Sequence, residues 1–510
     1  MSSLPWLIGG DFNEILRLDE KEGGAARPPF LINNFHEVLD SCDLGDLGCS
    51  GDRFTWCNGR KGVGFVKERL DRFVGNLAWR LLFPIFMVSH LEFWGSDHCP
   101  ILIEFDVCER LVKVTQRGRD RRHRFHFEEC WTVYPECEKI VQQNWGSCSN
   151  AKSLAAVSAQ IRNCAEVLQV WNMTNFHHLK NKIAENRHIL QSVSSDLSGS
   201  SWQTIQVVEK KLDVLLSKEE LYWRQRSRNN WLKGGDRNTR FFHQAASSRR
   251  RRNFIHGLRD SSRQWVSSRS GIIGIIQGYY RSLFTSATGR PESVNEILSS
   301  VRNCVSISMN RLLDASFTAQ EVRTAVFQLP PSKAPGKDGM SACFFQKYWA
   351  IVGNGVTDAC LGFLNTGEGI EAINATLIAL IPKTQAPQRI SDFRPISLCN
   401  VVYKIIAKVL VNRLRLVLNE IISESQSAFI PGRLITDNAI LGFECLHALK
   451  RRKKGTVGSL ALKLDMSKAY DRVEWSFVCS MMRVMGFSEN WIRKIQACIS
   501  SVTYQFLLNG

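Results

Sequence analysis

The chain has 510 residues, 44% of them hydrophobic, and its 66 Lys and Arg against 48 Asp and Glu leave it at +18. That size and apolar fraction exclude a disordered tail and allow several domains, each with its own core, while the basic excess favours a polyanionic partner, nucleic acid or an acidic membrane surface. No apolar run reaches the length of a bilayer span, the start MSSLPWLIGGDFNEI lacks the features of a signal peptide, and the 16 cysteines form no C-x-x-C pair, so the expectation is an intracellular, non-membrane protein with reduced thiols rather than zinc sites or disulfides.

Leu4 to Ile8 reads as a short buried strand, with Gly9-Gly10 turning the chain before Asp11 and Asn13. If the extended geometry continues, Asp11 and Asn13 lie on one side; alone, such a pair is more often a turn former. Arg69-Leu70-Asp71-Arg72-Phe73 supplies another acid, and Trp94-Gly95-Ser96-Asp97-His98 an Asp-His pair just before the apolar strand Ile101 to Phe105. The glycines at 45, 48 and 51 and at 59, 62 and 64 read as loop and hairpin punctuation, since no helix follows with the spacing of a phosphate-cradling loop.

In this order G-D-F-N, R-L-D-R-F and S-D-H resemble the C-terminal half of the endonuclease/exonuclease/phosphatase family, in the apurinic-type form carried by LINE-type non-LTR retrotransposons. The resemblance implies that Asp11 prepares the attacking water and Asn13 orients a phosphate oxygen. It also implies that His98, held by Asp71, contacts the scissile phosphate, and that Asp97 helps to hold a metal ion or neighbouring ligands. In-line attack on a phosphodiester needs these functions: an activated water, charge neutralisation and an oriented base. The family's upstream Asn and metal-binding Glu have no counterpart, so residues 1–106 are expected to be half of a four-layer sandwich, with an unpaired sheet edge.

Residues 107–315 change in texture. Arg117 to Arg124 is a basic burst that usually marks a solvated linker, and Ile205, Val208, Leu212 and Leu215 make one apolar stripe on a short helix. From Tyr222 to Arg252 aromatics alternate with cations, among them Arg224, Arg228, Trp231 and Arg240. Such a block suits stacking and phosphate contacts with single-stranded nucleic acid, or equally a helix with aromatic core anchors and arginines reaching outward. It resembles the connector between endonuclease and polymerase in plant-type LINE elements.

Thr318 and Glu321 form a capping box opening a helix that ends at Pro330-Pro331, followed by the rigid turn Lys333 to Gly339. Leu377 to Ile381 reads as an apolar strand running into Pro382-Lys383, then come Phe393-Arg394-Pro395-Ile396-Ser397-Leu398 and an amphipathic helix from Val401 to Leu418. The I-P-K and F-R-P-I-S-L pair resembles the fingers of reverse transcriptases, which implies that Lys383 and Arg394 hold the incoming triphosphate; fixed cations suit phosphoryl transfer. Ser425 to Arg433 resembles the template-facing loop, with Gln426, Phe429 and Arg433 as candidate contacts.

The alternation Leu460 to Leu464 reads as a half-buried strand delivering Asp465. A carboxylate there is either a Mg²⁺ ligand or a helix cap. With Tyr470 and Asp471 it makes D-x-x-x-x-Y-D, which resembles the first palm motif of reverse transcriptases and implies that Asp465 binds the catalytic metals while Tyr470 lies under the incoming sugar. Helices from Phe477 to Met485 and from Trp491, and a hairpin-like end at Phe506 to Gly510, complete the reading.

The resemblance runs nearly end to end: a LINE-type non-LTR retrotransposon polyprotein of plant type. It implies a multidomain α/β and α+β chain, with a partial endonuclease/exonuclease/phosphatase sandwich (1–106), a basic, mainly helical connector (107–315) and partial reverse transcriptase fingers and palm (316–510). The family's later Q-G-x-P and Y-x-D-D motifs are absent, so the chain reads as a piece of a longer polyprotein. The implied activity is target-primed reverse transcription, with Mg²⁺ or Mn²⁺, an RNA template, a DNA target and deoxynucleoside triphosphates, in a nuclear or cytoplasmic ribonucleoprotein. The alternative is an inactive remnant that only binds RNA or DNA.

Overall fold

The computed structural model describes residues 4–60, 64–83, 86–91, 96–105, 124–145, 153–175, 179–194, 201–227, 246, 249–250, 252–286, 291–384, 386–452, 458, 460–466 and 468–509. Helices and strands are mixed throughout, and no helix among them is long and apolar enough to cross a membrane.

The N-terminal part is made of short antiparallel strands. Leu7–Asp11 and Gly45–Asp46 flank Asp71–Gly75, Lys21–Glu22 and Trp56–Cys57 flank Lys67–Glu68, and Phe86–His90 pairs with Ile101–Phe105. The turn expected at Gly9-Gly10 does not occur, and the strand runs through both glycines. The reason is tertiary: Phe73 lies across the chain, and a Cβ on Gly9 would meet its ring at 2.1 Å, so the residue serves close approach. The chain turns at Asn13, whose φ is 55° and whose N–H donates to Asp11 Oδ1 at 2.8 Å. Asp11 and Asn13 therefore do not continue one extended face.

A buried ion cluster braces these strands. Arg69 donates to Glu20 at 2.9 Å and to both oxygens of Asp46 at 2.7 and 3.0 Å, and Arg72 donates to Glu20 at 3.1 Å. Two cations face two anions out of water, which holds only because both arginines are multiply hydrogen-bonded. Burial alone would raise the Asp46 carboxyl, yet the charges of Arg69 and Arg72 keep it below its ordinary range.

The middle and C-terminal parts share a core. Phe127, Trp131, Val141 and Ile161 pack into the same cluster as Val322, Phe344, Phe363, Ile405 and Trp491, all at most 2% exposed. Thr318 caps Ala319–Gln328 with both arms of the box: Glu321 N–H donates to its hydroxyl at 3.3 Å, and its own N–H donates to the Glu321 carboxylate at 2.8 Å. The helix expected to run from Val401 to Leu418 stops at Leu414, followed by a short turn of helix at Leu418–Ile421.

Ala375–Pro382 is the centre of a three-stranded sheet, antiparallel to Phe393–Leu398 and parallel to Thr503–Leu507. The expected hairpin-like ending is thus a parallel edge strand. Ile378, Leu380 and Phe393 point to one face, where Ile272, Ile276 and Tyr280 of helix Arg269–Phe284 cover them.

The strand expected at Leu460 to Leu464 does not form. Residues 460–466 have no regular secondary structure, and Leu460, Leu462 and Leu464 are 83%, 74% and 83% exposed. Alternation alone cannot hold a strand without a partner, and no described strand pairs with this segment.

Candidate functional site

Two places gather the residues singled out by sequence. In the N-terminal part, the antiparallel register sets Asp11 directly opposite Asp71. Two carboxylates so placed repel each other unless something cationic stands between them. His98 enters there from the bridge that pairs it with Trp56, and its Nδ1 lies 2.8 Å from Asp71 Oδ2. One ligand atom from each of Asp11, Asp71 and His98 comes within 4.8 Å of the others, the only such group among the described residues. Burial pulls the His98 pKa down, but its hydrogen bond to Asp71 and the charges of Asp71, Asp11 and Asp97 outweigh this and raise it.

Asp97 faces elsewhere: its Oδ2 accepts from the Trp56 indole at 3.0 Å, and that bond leads the causes that lower its pKa. Asn13 accepts from Arg27 at its backbone carbonyl at 2.6 Å and donates its N–H to Asp11 of the trio at 2.8 Å. Trp94 and Gly95 lie outside the described residues.

On the C-terminal side, the register pairs Ile381 with Arg394, so Arg394 shares a sheet face with Ile381 and, two residues on, with Lys383. Both cations are exposed, opposite the face that packs on helix Arg269–Phe284. Lys383 donates to Ser391 O at 2.9 Å.

In the loop before helix Ile435–Arg451, Arg433 is turned inward. Its guanidinium donates to the carbonyls of Ser423 and Gln426 at 2.5 and 2.8 Å and of Ile422 and Asn419 at 3.2 and 3.4 Å. Gln426 folds back onto Ala428 O at 3.2 Å. Phe429 is thrust outward, 82% exposed at a φ of 66°, and its ring stands edge-on to Tyr470 at 6.5 Å between centroids. Asp465 is exposed, a few residues before Tyr470.

Of the aromatic and basic block, Arg228, Trp231 and Arg240 lie outside the described residues. Arg224 lies 3.8 Å from Glu129, and the neighbouring Arg226 forms a two-pronged pair with Glu128 at 2.9 and 2.7 Å.

Residues 381–507, which contain Lys383, Arg394, the Phe429 loop, Asp465 and Tyr470, match the family described as reverse transcriptase (RNA-dependent DNA polymerase). The chain carries a reverse transcriptase domain. It is 30% identical over 311 residues to the transposon TX1 uncharacterized 149 kDa protein of Xenopus laevis, a match covering 60% of this chain and 23% of that protein. To the retrovirus-related Pol polyprotein from type-2 retrotransposable element R2DM of Drosophila melanogaster it is 27% identical over 191 residues, 37% of this chain and 17% of that polyprotein. These similarities group the chain with LINE-type non-LTR retrotransposon polyproteins, and it spans less than a quarter of the relatives it matches.

Two contacts of the sites had no local signal in the sequence. Trp56 holds Asp97 from 41 residues away. In the reverse transcriptase domain, Lys468, just ahead of Tyr470, has a φ of 55° and hydrogen-bonds the Tyr279 hydroxyl, with its ammonium 4.2 Å over the Tyr279 ring. Helix Arg269–Phe284 thus both backs the sheet and grips the short helix Ala469–Arg472.

Proposed function

We propose that the chain is part of a retroelement RNA-directed DNA polymerase, joined to the C-terminal half of an apurinic-type endonuclease, and that the whole protein performs target-primed reverse transcription. The single observation that carries this reading is the reverse transcriptase match over 381–507. In this reading Lys383 and Arg394 hold the triphosphate, Tyr470 lies under the sugar, Gln426 and Phe429 meet the template with Arg433 behind them, and Asp465 is a metal ligand. The connector block, with Arg224, Arg228, Trp231 and Arg240, adds contacts to nucleic acid.

Asp11, Asp71 and His98 offer two carboxylates and an imidazole at mutual reach, a donor set that fits a divalent cation such as Mg²⁺ or Mn²⁺. There the ion would supply charge neutralisation at a phosphodiester. His98, fixed by Asp71, would orient the phosphate oxygen, Asp11 would draw the proton from the attacking water, Asn13 would steady a second oxygen, and Asp97 would hold the segment of His98 through Trp56. Asp465 belongs to no group of three or more metal-ligating side chains among the described residues, and its proposed metal role rests on the D-x-x-x-x-Y-D resemblance. A second reading, a chain that only binds RNA or DNA, rests on its basic excess of +18.

Photocrosslinking of an azido-deoxynucleoside triphosphate to the chain on a primed RNA template separates the two. Labelling that is competed by unlabelled deoxynucleotide and lost in Lys383→Ala and Arg394→Ala is expected. Labelling indifferent to both substitutions overturns the nucleotide assignment and leaves the binding-only reading. Nicking of supercoiled plasmid with Mg²⁺ or Mn²⁺, lost in His98→Ala, is the matching outcome for the N-terminal site.

A further inference from the structure

Helices Leu179–Ser194 and Ser201–Ser227 lie side by side and leave a cleft of about 460 Å³ between them. Lys182 and Asn186, one helical turn apart, form one wall. Lys210, Lys211 and Lys218 stand on the other, around the aliphatic strip of Val214 and Leu215. At 3.6 residues per turn, residues 211, 214, 215 and 218 share one face of their helix, Glu209, Asp213 and Glu220 point the opposite way, and Lys210 and Glu219 stand on the two flanks. Charge that nearly cancels along the sequence is therefore largely separated around the helix axis, with Lys211 and Lys218 on one face and three acids on the other. No carboxylate is among the described residues that line the cleft.

The cleft is held by contacts outside it. The Lys218 ammonium sits 3.9 Å above the Tyr134 ring, which packs edge-on against Trp171 at 5.8 Å. Further along the helix, Gln225 donates to Phe127 O at 3.2 Å and accepts from Glu129 N–H at 2.9 Å, beside the Arg226–Glu128 pair. Burial, and the neighbouring charge of Lys182, lower the Lys218 pKa against the opposing pull of Cys130 and Glu136. The lysines repel across the cleft while the core keeps its walls in place.

We propose that this cleft binds the sugar-phosphate backbone of a single-stranded nucleic acid, with successive phosphates on the lysines and a sugar or base over Val214 and Leu215. Lys210 and Lys218 are separated by about 12 Å along the helix axis, too far for one phosphate and suited to several in a row. The choice of nucleic acid rests on the reading of the chain as part of an RNA-directed polymerase; the separated charge does not.

The test is binding of a fluorescent oligouridylate, about 20 nucleotides long, to the whole chain between about 50 and 200 mM salt. It compares wild type with the triple variant Lys182→Gln, Lys210→Gln, Lys211→Gln, leaving Lys218 on Tyr134. Single strands contribute about 0.7 to the salt slope per neutralised phosphate. The triple variant is therefore expected to lose about 2 from that slope, whereas Glu209→Gln with Asp213→Asn on the opposite face leaves it nearly unchanged. If the triple variant melts early, the single substitutions serve, each expected to lose about 0.7. An unchanged slope in a variant with the wild-type melting temperature overturns the cleft and leaves the polymerase reading standing, and no wild-type binding at all overturns both. Poly-glutamate binding that needs the same lysines, with oligouridylate binding unaffected by them, overturns the proposal in favour of an acidic protein segment.

Discussion

Arg413 donates from Nε to one carboxylate oxygen of Glu321 at 2.6 Å and from Nη2 to the other at 2.9 Å. The same guanidinium donates to the carbonyls of Leu313 and Ser316 at 3.1 and 2.8 Å and to that of Ala315, and lies 3.5 Å over the Phe317 ring. Glu321 is also the second arm of the Thr318 box, so one carboxylate both starts a helix and ties it to Val401–Leu414. Removing the fork should leave carbonyls and an acid without their donor. Arg413→Ala is expected to cost about 3 kcal/mol, and Arg413→Lys, which keeps charge but loses the planar fork, nearly as much. Thermal unfolding measures both; a melting temperature within a degree of wild type for either would show that the contacts are idle.

Asp338 gives a pH-dependent case. Burial raises its carboxyl to about 6, despite the Met340 N–H it accepts and the charges of Arg124 and Lys404. An acid whose pKa is raised on folding stabilises the fold below its unfolded value near 4 and loses that contribution as pH rises through about 6. Asp338→Asn keeps the acceptor for Met340 and has no charge to bury. It is expected to melt higher than wild type at pH 8, by on the order of 1 kcal/mol after allowance for partial exposure, and to match it below pH 4. A gain that is the same at both pH values would put the cause elsewhere.

His98 should titrate above an ordinary histidine. Its raised pKa makes the imidazolium–Asp71 pair stabilising below the unfolded value of 6.5, a contribution lost as pH rises through the higher folded value. Nuclear magnetic resonance of the ring protons reads this directly. Asp71→Asn should lower the midpoint, because the hydrogen bond and charge of Asp71 no longer oppose burial. Mg²⁺ or Mn²⁺ should lower it in the wild-type chain by competing for the same lone pair and carboxylates. A midpoint indifferent to divalent ions would argue that the trio holds none.

Arg433 should matter through Phe429. With its carbonyl contacts removed, Arg433→Gln is expected to speed hydrogen exchange at Gln426 and Ile430, whose N–H groups donate within the loop at 3.1 and 3.5 Å. Phe429→Gly should slow it, because a left-handed φ costs a side-chain-bearing residue about 1 kcal/mol that glycine does not incur. Opposite signs for the two variants are the diagnostic result; equal exchange in both would mean the loop is shaped by neither.

What could be read from the sequence was local. The Thr318–Glu321 box, the apolar strand at Leu377 to Ile381 and the strand at Ile101 to Phe105 each depend on a few adjacent residues, and each is present within a residue or two. Gly9-Gly10 looks like a turn in sequence, whereas the need for Gly9 comes from the ring of Phe73, 64 positions away. Leu460 to Leu464 shows that a period of two describes a side-chain pattern and says nothing of the partner a strand requires. Short motifs marked Asp11, Asp71 and His98 separately, while the strand register that sets Asp11 against Asp71, and the turn of Asp97 toward Trp56, lay beyond them. The inward Arg433 was equally hidden, since a guanidinium in a loop looks the same in sequence whether it meets a phosphate or its own backbone.

The parallel edge strand Thr503–Leu507 sets a condition on how this protein is made. Its partner Ala375–Pro382 has emerged long before it, and Asn509, next to that edge, exchanges hydrogen bonds at 2.8 and 3.1 Å with the backbone of Ile255, 254 positions earlier. Contacts of such separation carry a large loop-closure entropy and form late. On the ribosome, the sheet that presents Lys383 and Arg394 must wait with one edge bare until the residues beyond 500 leave the exit tunnel, an interval of several seconds at the rate of about 5–20 residues per second. A nascent chain paused before that point offers Ala375–Pro382 to any passing strand, so the timing of elongation, as much as the stability of the finished fold, governs how much of it escapes aggregation.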